Sequence, residues 1–184
     1  MAQKKKIIRK KKQKSKSRDR VSSSGKIKSE ILSSASLELL VKNKPADLQA
    51  ALQLSERYYK SNQETKIPDV LGKFDKLSIK PGSPQKFRFL TLLAIGRSFS
   101  GELSEAEQIS EQGLSEFPDS LDFHYIMSFI KLSMRENTAA IEYGRKYLQL
   151  LRTKPVLDGM PLPLCGMMAH LSQLQNILGN AYRE

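Results

Sequence analysis

The chain of 184 residues has little of what catalytic and metal-binding sites are built from. It contains one cysteine, Cys165, and two histidines, His124 and His170. A lone cysteine excludes an internal disulfide and fits a reducing compartment. The spacing of these three residues does not match a metal site, and no glycine-rich phosphate-binding loop is present. We therefore expect no catalytic residue, no metal and no cofactor in these residues.

Long hydrophobic runs are also missing. The only bulky apolar residues before Val21 are Ile7 and Ile8, a pair too short for the core of a secretory signal. No other stretch approaches the length that crosses a bilayer. We expect a protein with no integral membrane segment, located in the cytoplasm, or in the nucleus if the source is eukaryotic.

The positive charge is concentrated at one end of the chain. Residues 1–28 contain 13 Lys or Arg and a single acid, whereas residues 29–184 contain 18 basic and 18 acidic residues. Because such a block repels itself and has little apolar surface to bury, we predict a disordered basic tail over 1–28 and a helical repeat domain over 29–184. The residues of the tail that we expect to contact an anionic partner are Lys4, Lys5, Lys6, Arg9, Lys10, Lys11, Lys12, Lys14, Lys16, Arg18 and Arg20.

The tail has several possible roles. It could neutralise the phosphates of nucleic acid without reading sequence, or contact an anionic membrane surface. It could also be a nuclear import signal, or only keep the protein in solution. It contains no aromatic residue that would stack on bases, which weakens the case for specific nucleic-acid recognition.

From Ser29 onward, the spacing of apolar residues predicts helices. A short first helix ends before Pro45, and we place Pro45 in the first turn of a second helix. A further amphipathic run begins at Pro68. The segment from Pro81 to Pro84, Pro-Gly-Ser-Pro, predicts a break.

Beyond that break the sequence contains two copies of one helical pattern, 34 residues apart. The pair Leu93-Ala94 returns as Met127-Ser128, and Ala106 returns as Ala140. A period near 34 in a helical sequence is typical of stacked helix pairs, in which small residues allow neighbouring helices to approach closely. The copies span 87–120 and 121–154. A partial third repeat runs from 172, with Gly179 as its small contact residue.

The pattern resembles the tetratricopeptide (TPR) repeat family. The matching runs are Leu90-x2-Leu93-Ala94-x2-Arg97 with Ala106-x3-Ser110 and Pro118, then His124-x2-Met127-Ser128-x2-Lys131 with Ala140-x3-Gly144, and finally Gln175-x2-Leu178-Gly179-x2-Tyr182. The resemblance implies an all-α fold, a short stack of antiparallel helical hairpins that forms a TPR-like α-solenoid. Arg97 and Lys131 stand where the family has an aromatic residue. A related helical-repeat family or an irregular helical bundle is the alternative.

In TPR proteins the first helix of each pair lines a concave face. Mapped onto this chain, that face forms a partner-binding groove of Arg88, Thr91, Ile95, Ser98, Phe99, Asp122, Tyr125, Phe129, Leu132, Gln173, Asn176 and Asn180. The mixture of aromatics with few charges suits an extended or helical peptide with apolar anchors. The alternative is that Phe99, Tyr125 and Phe129 are core residues.

Three functions follow as hypotheses. The first is a non-catalytic scaffold that binds a protein or peptide partner through the concave face. The second is the interaction arm of a larger enzyme, such as a TPR-fused glycosyltransferase. The third is a nucleic-acid-associated protein that binds through the basic tail.

Overall fold

The computed structural model of the protein describes residues 33–74, 79–153, 175–176 and 178–179. The described residues are helical between turns and contain no strand, so the predicted all-α fold is confirmed. The basic tail lies outside the described residues, as do Cys165 and His170. The α-helices are α1 (Ser34–Asn43), α2 (Leu48–Lys60), α3 (Ile67–Leu71), α4 (Pro84–Phe99), α5 (Leu103–Glu116), α6 (Leu121–Ser133) and α7 (Asn137–Thr153).

Polar side chains fix where four of these helices begin. Each accepts a hydrogen bond from the backbone N–H three residues further on, which satisfies a donor that has no partner inside the helix. The capping residues are Ser33 for α1, Asp47 for α2, Ser83 for α4 and Ser120 for α6. The prediction that Pro45 starts α2 is wrong. Pro45 lies in the turn before the helix, because the carboxylate of Asp47 sets the start by accepting from the Ala50 N–H.

Helices α2, α4 and α6 end in the same backbone turn. A residue in the left-handed region follows each helix: Asn62 with φ 54°, Gly101 with φ 81° and Arg135 with φ 63°. The next N–H then reaches back five residues to a helical carbonyl, from Glu102 to Arg97 and from Glu136 to Lys131, at 3.0 and 2.8 Å. The turns at Gly101 and Arg135 are 34 residues apart, so the sequence period is also a period of the backbone.

Arg135 gives this turn a testable weakness. A side chain in the left-handed region costs an L-residue about 1–2 kcal/mol, and glycine avoids this cost but loses more entropy on folding. We expect Arg135→Gly to raise the free energy of unfolding by about 0.5–1 kcal/mol in urea denaturation. The matched control is Gln149→Gly, an exposed site inside α7, which should lower it by about 1 kcal/mol. Destabilisation by Arg135→Gly would contradict the turn geometry.

The helices after the Pro-Gly-Ser-Pro break pack as neighbours in the chain. Three residues join α4 to α5 and three join α6 to α7, and both pairs are in contact, as are α5 and α6. The small residues of the 34-residue pattern, Ala94, Ala106, Ser128 and Ala140, are fully buried. The Ser128 hydroxyl donates to the Ala140 carbonyl at 2.8 Å and so links α6 to α7.

Gly179 does not behave as the pattern predicts. It is helical and exposed, and a Cβ added there would meet no atom within 4 Å. The closest helix approach lies at Gly113 of α5 instead, where an added Cβ would be 2.3 Å from Cζ of Phe123 on α6. The Phe123 ring is itself held edge-on by Phe87, with ring centroids 5.5 Å apart.

The cations that replace the family's aromatic residue form ion pairs at equivalent places. Arg97 on α4 pairs with Glu102 and, at 3.3 Å, with Glu105. Lys131 on α6 pairs with Glu136 at 2.7 Å and also with Glu107 on α5. Because Glu107 and Glu136 favour the charged amine, they raise the pKa of Lys131. These pairs tie the first helix of each pair to the turn or helix that follows, and tie α6 back to α5.

Candidate partner-binding surface

The predicted groove residues of α4 and α6 follow helical spacing, and the two helices are in contact. On α6, Asp122, Tyr125, Phe129 and Leu132 are separated by steps of three or four residues, so they form a stripe along one side of the helix. We call these four residues the α6 stripe. What each predicted residue can do depends on its burial and its neighbours.

Most of the predicted groove residues on α4 are interior. Thr91 is fully buried, and Ile95 and Ser98 are 8% and 7% exposed, because α4 contacts α2, α3, α5 and α6. The Thr91 hydroxyl donates to the Phe87 carbonyl and the Ser98 hydroxyl to the Ile95 carbonyl, both at 2.8 Å. These side chains therefore stabilise the helix interior and are not accessible to a partner, as in the core alternative.

Arg88 is half-buried and already has a partner. Its guanidinium forms an ion pair with Glu56 of α2, with Nε 2.7 Å from the carboxylate oxygen Oε1. The pair joins the beginning of α4 to α2. It was not predictable from the 34-residue pattern, because Glu56 lies in the part of the chain that does not follow that period.

Phe99 and Phe129 form a stacked aromatic pair that is open to solvent. Their ring centroids are 5.6 Å apart and their planes differ by 16°. Phe99 is 52% exposed, and among the described residues only Leu39 is a comparably exposed large hydrophobic side chain. Phe129 and Leu132 are half-buried. We call Phe99, Phe129 and Leu132 the aromatic patch; it joins the end of α4 to the second half of α6.

Asp122 lies at the opposite end of the α6 stripe and is buried, with 5% of its surface exposed. No described side chain forms a hydrogen bond or ion pair with its carboxyl group, and burial raises its pKa to about 7. On α7, burial raises the pKa of Tyr147, and the charge of Asp122 raises it further. The α6 stripe therefore runs from a buried acid to an exposed aromatic pair.

His124 is interior, as the repeat pattern predicts, and is 7% exposed. Its Nε2 lies 3.0 Å from the Pro118 carbonyl, which assigns the ring proton to Nε2. Burial is the main cause that lowers its pKa. Within the described residues, no group of His, Cys, Asp and Glu side chains could hold a metal ion.

The remaining predicted groove residues lie at the end of the chain. Asn176 is helical and exposed, whereas Gln173 and Asn180 lie outside the described residues. Across the parts of the chain that the structure describes, no helix combines the length and apolar character needed to cross a membrane.

Comparison of the chain with protein-family models, with curated proteins and with solved structures gives no match. Functional assignment therefore depends on the geometry of the α6 stripe and the aromatic patch, and on the composition of the basic tail.

Proposed function

We propose that the protein is a non-catalytic interaction scaffold that binds a protein or peptide partner on the face formed by α4 and α6. The observation that carries this proposal is the stacked Phe99–Phe129 pair, which leaves a large apolar surface in water. Removing apolar surface from water is favourable by about 25 cal/mol per Å², and exposed aromatic residues are enriched where partners dock. A partner that covers the patch gains this free energy.

We also propose that α4 to α7 are two repeats of the TPR type. Three features support this reading: the buried alanines, the left-handed turn residues Gly101 and Arg135, and the ion pairs of Arg97 and Lys131, each with the same 34-residue offset. In a repeat scaffold the aromatic patch would lie on the concave side, where such proteins present their partners with an extended surface. The interaction arm of a larger enzyme would use the same surface.

Variants of the exposed residues test the proposal. We expect Phe99→Ser combined with Phe129→Ser to lower the amount of co-purified partner about tenfold or more, because aromatic anchors dominate binding free energy. Leu39→Ser is the matched control, since it removes the other exposed large hydrophobic residue, on α1, and should leave binding unchanged. Quantitative mass spectrometry of affinity-purified full-length protein measures both. Equal loss in the two variants would contradict a specific role of the patch.

Nucleic-acid association is the second candidate function, and the 13 basic residues of 1–28 favour it. Binding through phosphate neutralisation should be independent of sequence and should fall steeply with salt. We expect fluorescence anisotropy with a single-stranded RNA 20-mer to show an affinity loss of about a hundredfold or more between 50 and 200 mM salt. Deletion of residues 1–28 should abolish binding at both concentrations. Binding that survives the deletion would assign it to the helical domain instead.

A further inference from the structure

The α6 stripe presents two unlike features to a partner. At one end the aromatic patch offers apolar surface, and at the other end Asp122 supplies a carboxyl group. Asp122 is the only charged residue of the stripe, because Tyr125, Phe129 and Leu132 carry none at neutral pH. On α4 the nearest predicted groove cation, Arg88, is already paired with Glu56. The surface is therefore apolar with one acidic group.

A buried carboxyl group without a hydrogen-bond partner is costly, and proteins usually pair such a group with a cation or with donors. Asp122 lacks such a partner among the described residues, and its exposed fraction is 5%. A long, flexible side chain with an aliphatic stem, Lys or Arg, is suited to reach a group with so little open surface. A cation placed there would supply the missing partner without changing the apolar part of the stripe.

We infer that the partner of this surface is a peptide segment that places a Lys or Arg side chain against Asp122 and an apolar or aromatic side chain on the aromatic patch. This inference rests on the proposed function. It adds the chemistry of the partner, a cationic residue at a fixed distance from an apolar anchor.

The helix geometry sets that distance. Asp122 and Phe129 are seven residues apart on α6, which corresponds to about 10 Å along the helix axis. An extended peptide covers that distance in about three residues and a helical peptide in about seven. The spacing between cation and anchor therefore reports which conformation the partner adopts.

Selection from a phage-displayed library of random 12-residue peptides tests the inference with the full-length protein as bait. We expect the selected peptides to carry Lys or Arg at a constant spacing, about three or seven residues, from an aromatic or aliphatic residue. Asp122→Asn should remove the enrichment for Lys and Arg and keep the enrichment for apolar residues. Glu111→Gln, which neutralises an exposed acid on α5, is the matched control and should change neither.

A double-mutant cycle on one selected peptide then isolates the contact. Replacing the peptide cation by norleucine should weaken binding about tenfold or more to the wild-type protein, and less than about twofold to Asp122→Asn. Equal weakening in both proteins, or selected peptides without a cation, would overturn the inference but leave the patch as a binding surface. If no peptide is enriched, or if enrichment survives Phe99→Ser with Phe129→Ser, the proposed function fails and the inference fails with it.

Discussion

Gly113→Ala is expected to lower the free energy of unfolding by about 2–4 kcal/mol, although alanine is the better helix former. Gly113 lies inside α5, where exchange to alanine at an open site would stabilise by up to about 1 kcal/mol. Here the added Cβ would lie 2.3–2.6 Å from three atoms of the Phe123 ring. The ring cannot move away easily, because it is fully buried and contacts Phe87 edge-on. Overpacking in a rigid core is destabilising by more than the propensity gain.

Urea denaturation of the full-length variant measures this effect, and two further variants interpret it. Ser115→Ala, an exposed site on the same helix, should change stability by less than about 0.5 kcal/mol. Phe123→Leu removes ring atoms that the Cβ would meet. We expect Gly113→Ala to cost at least about 1 kcal/mol less in the Phe123→Leu background. A Gly113→Ala protein as stable as wild type would show that α5 and α6 do not approach as described.

Asp122→Asn is expected to stabilise the protein at pH 8 by up to about 4 kcal/mol. The pKa of Asp122 is about 7 in the folded protein and near 3.8 in a model compound. The unfolded chain therefore releases this proton first, and stability falls as the pH rises from about 4 to 7, then levels off. Each unit of pKa difference corresponds to about 1.4 kcal/mol. The helix N-terminus favours a negative charge by about 0.3–1 kcal/mol, which reduces the burial effect without reversing it.

The difference between two pH profiles isolates this group. Chemical denaturation of wild type and Asp122→Asn from pH 4 to 8 should give similar stabilities near pH 4 and a gap that widens up to about pH 7. The lowered pKa of His124 acts in the opposite direction, because stability is lost as pH falls below 6.5, but both proteins share it. Glu111→Gln, an exposed acid, should give a profile parallel to wild type. A parallel profile for Asp122→Asn would mean that Asp122 is solvated.

The sequence predicts the helices and their period because both depend on local spacing. Ala106 and Ala140 are buried as the 34-residue offset requires, and the turn after α4 recurs after α6 although Gly101 is replaced by Arg135. Helix starts are less predictable, since they depend on which nearby side chain caps the backbone. The α2 start shows this, because the cap is Asp47 and not the proline two residues before it.

The binding surface is only partly predictable, because burial depends on neighbouring helices. Helical spacing places Thr91 and Phe99 on related sides of α4, but contacts with other helices enclose Thr91 and leave Phe99 at the end of the helix open. The isolation of Asp122 is also a tertiary property, since the same residue at a free helix start would be exposed and charged. Likewise, composition identifies Gly113 as small but not the ring that fills the space beside it.

The central claim, that the face formed by α4 and α6 binds the partner, is tested most directly by site-specific photo-cross-linking. A photoreactive amino acid such as benzoyl-phenylalanine replaces Leu132 in the aromatic patch or, as the control, Gln112 on the exposed side of α5. We predict a discrete cross-linked protein from position 132 that is lost with Phe99→Ser, and none from position 112. The same cross-linked product from both positions, or only from position 112, would contradict the account.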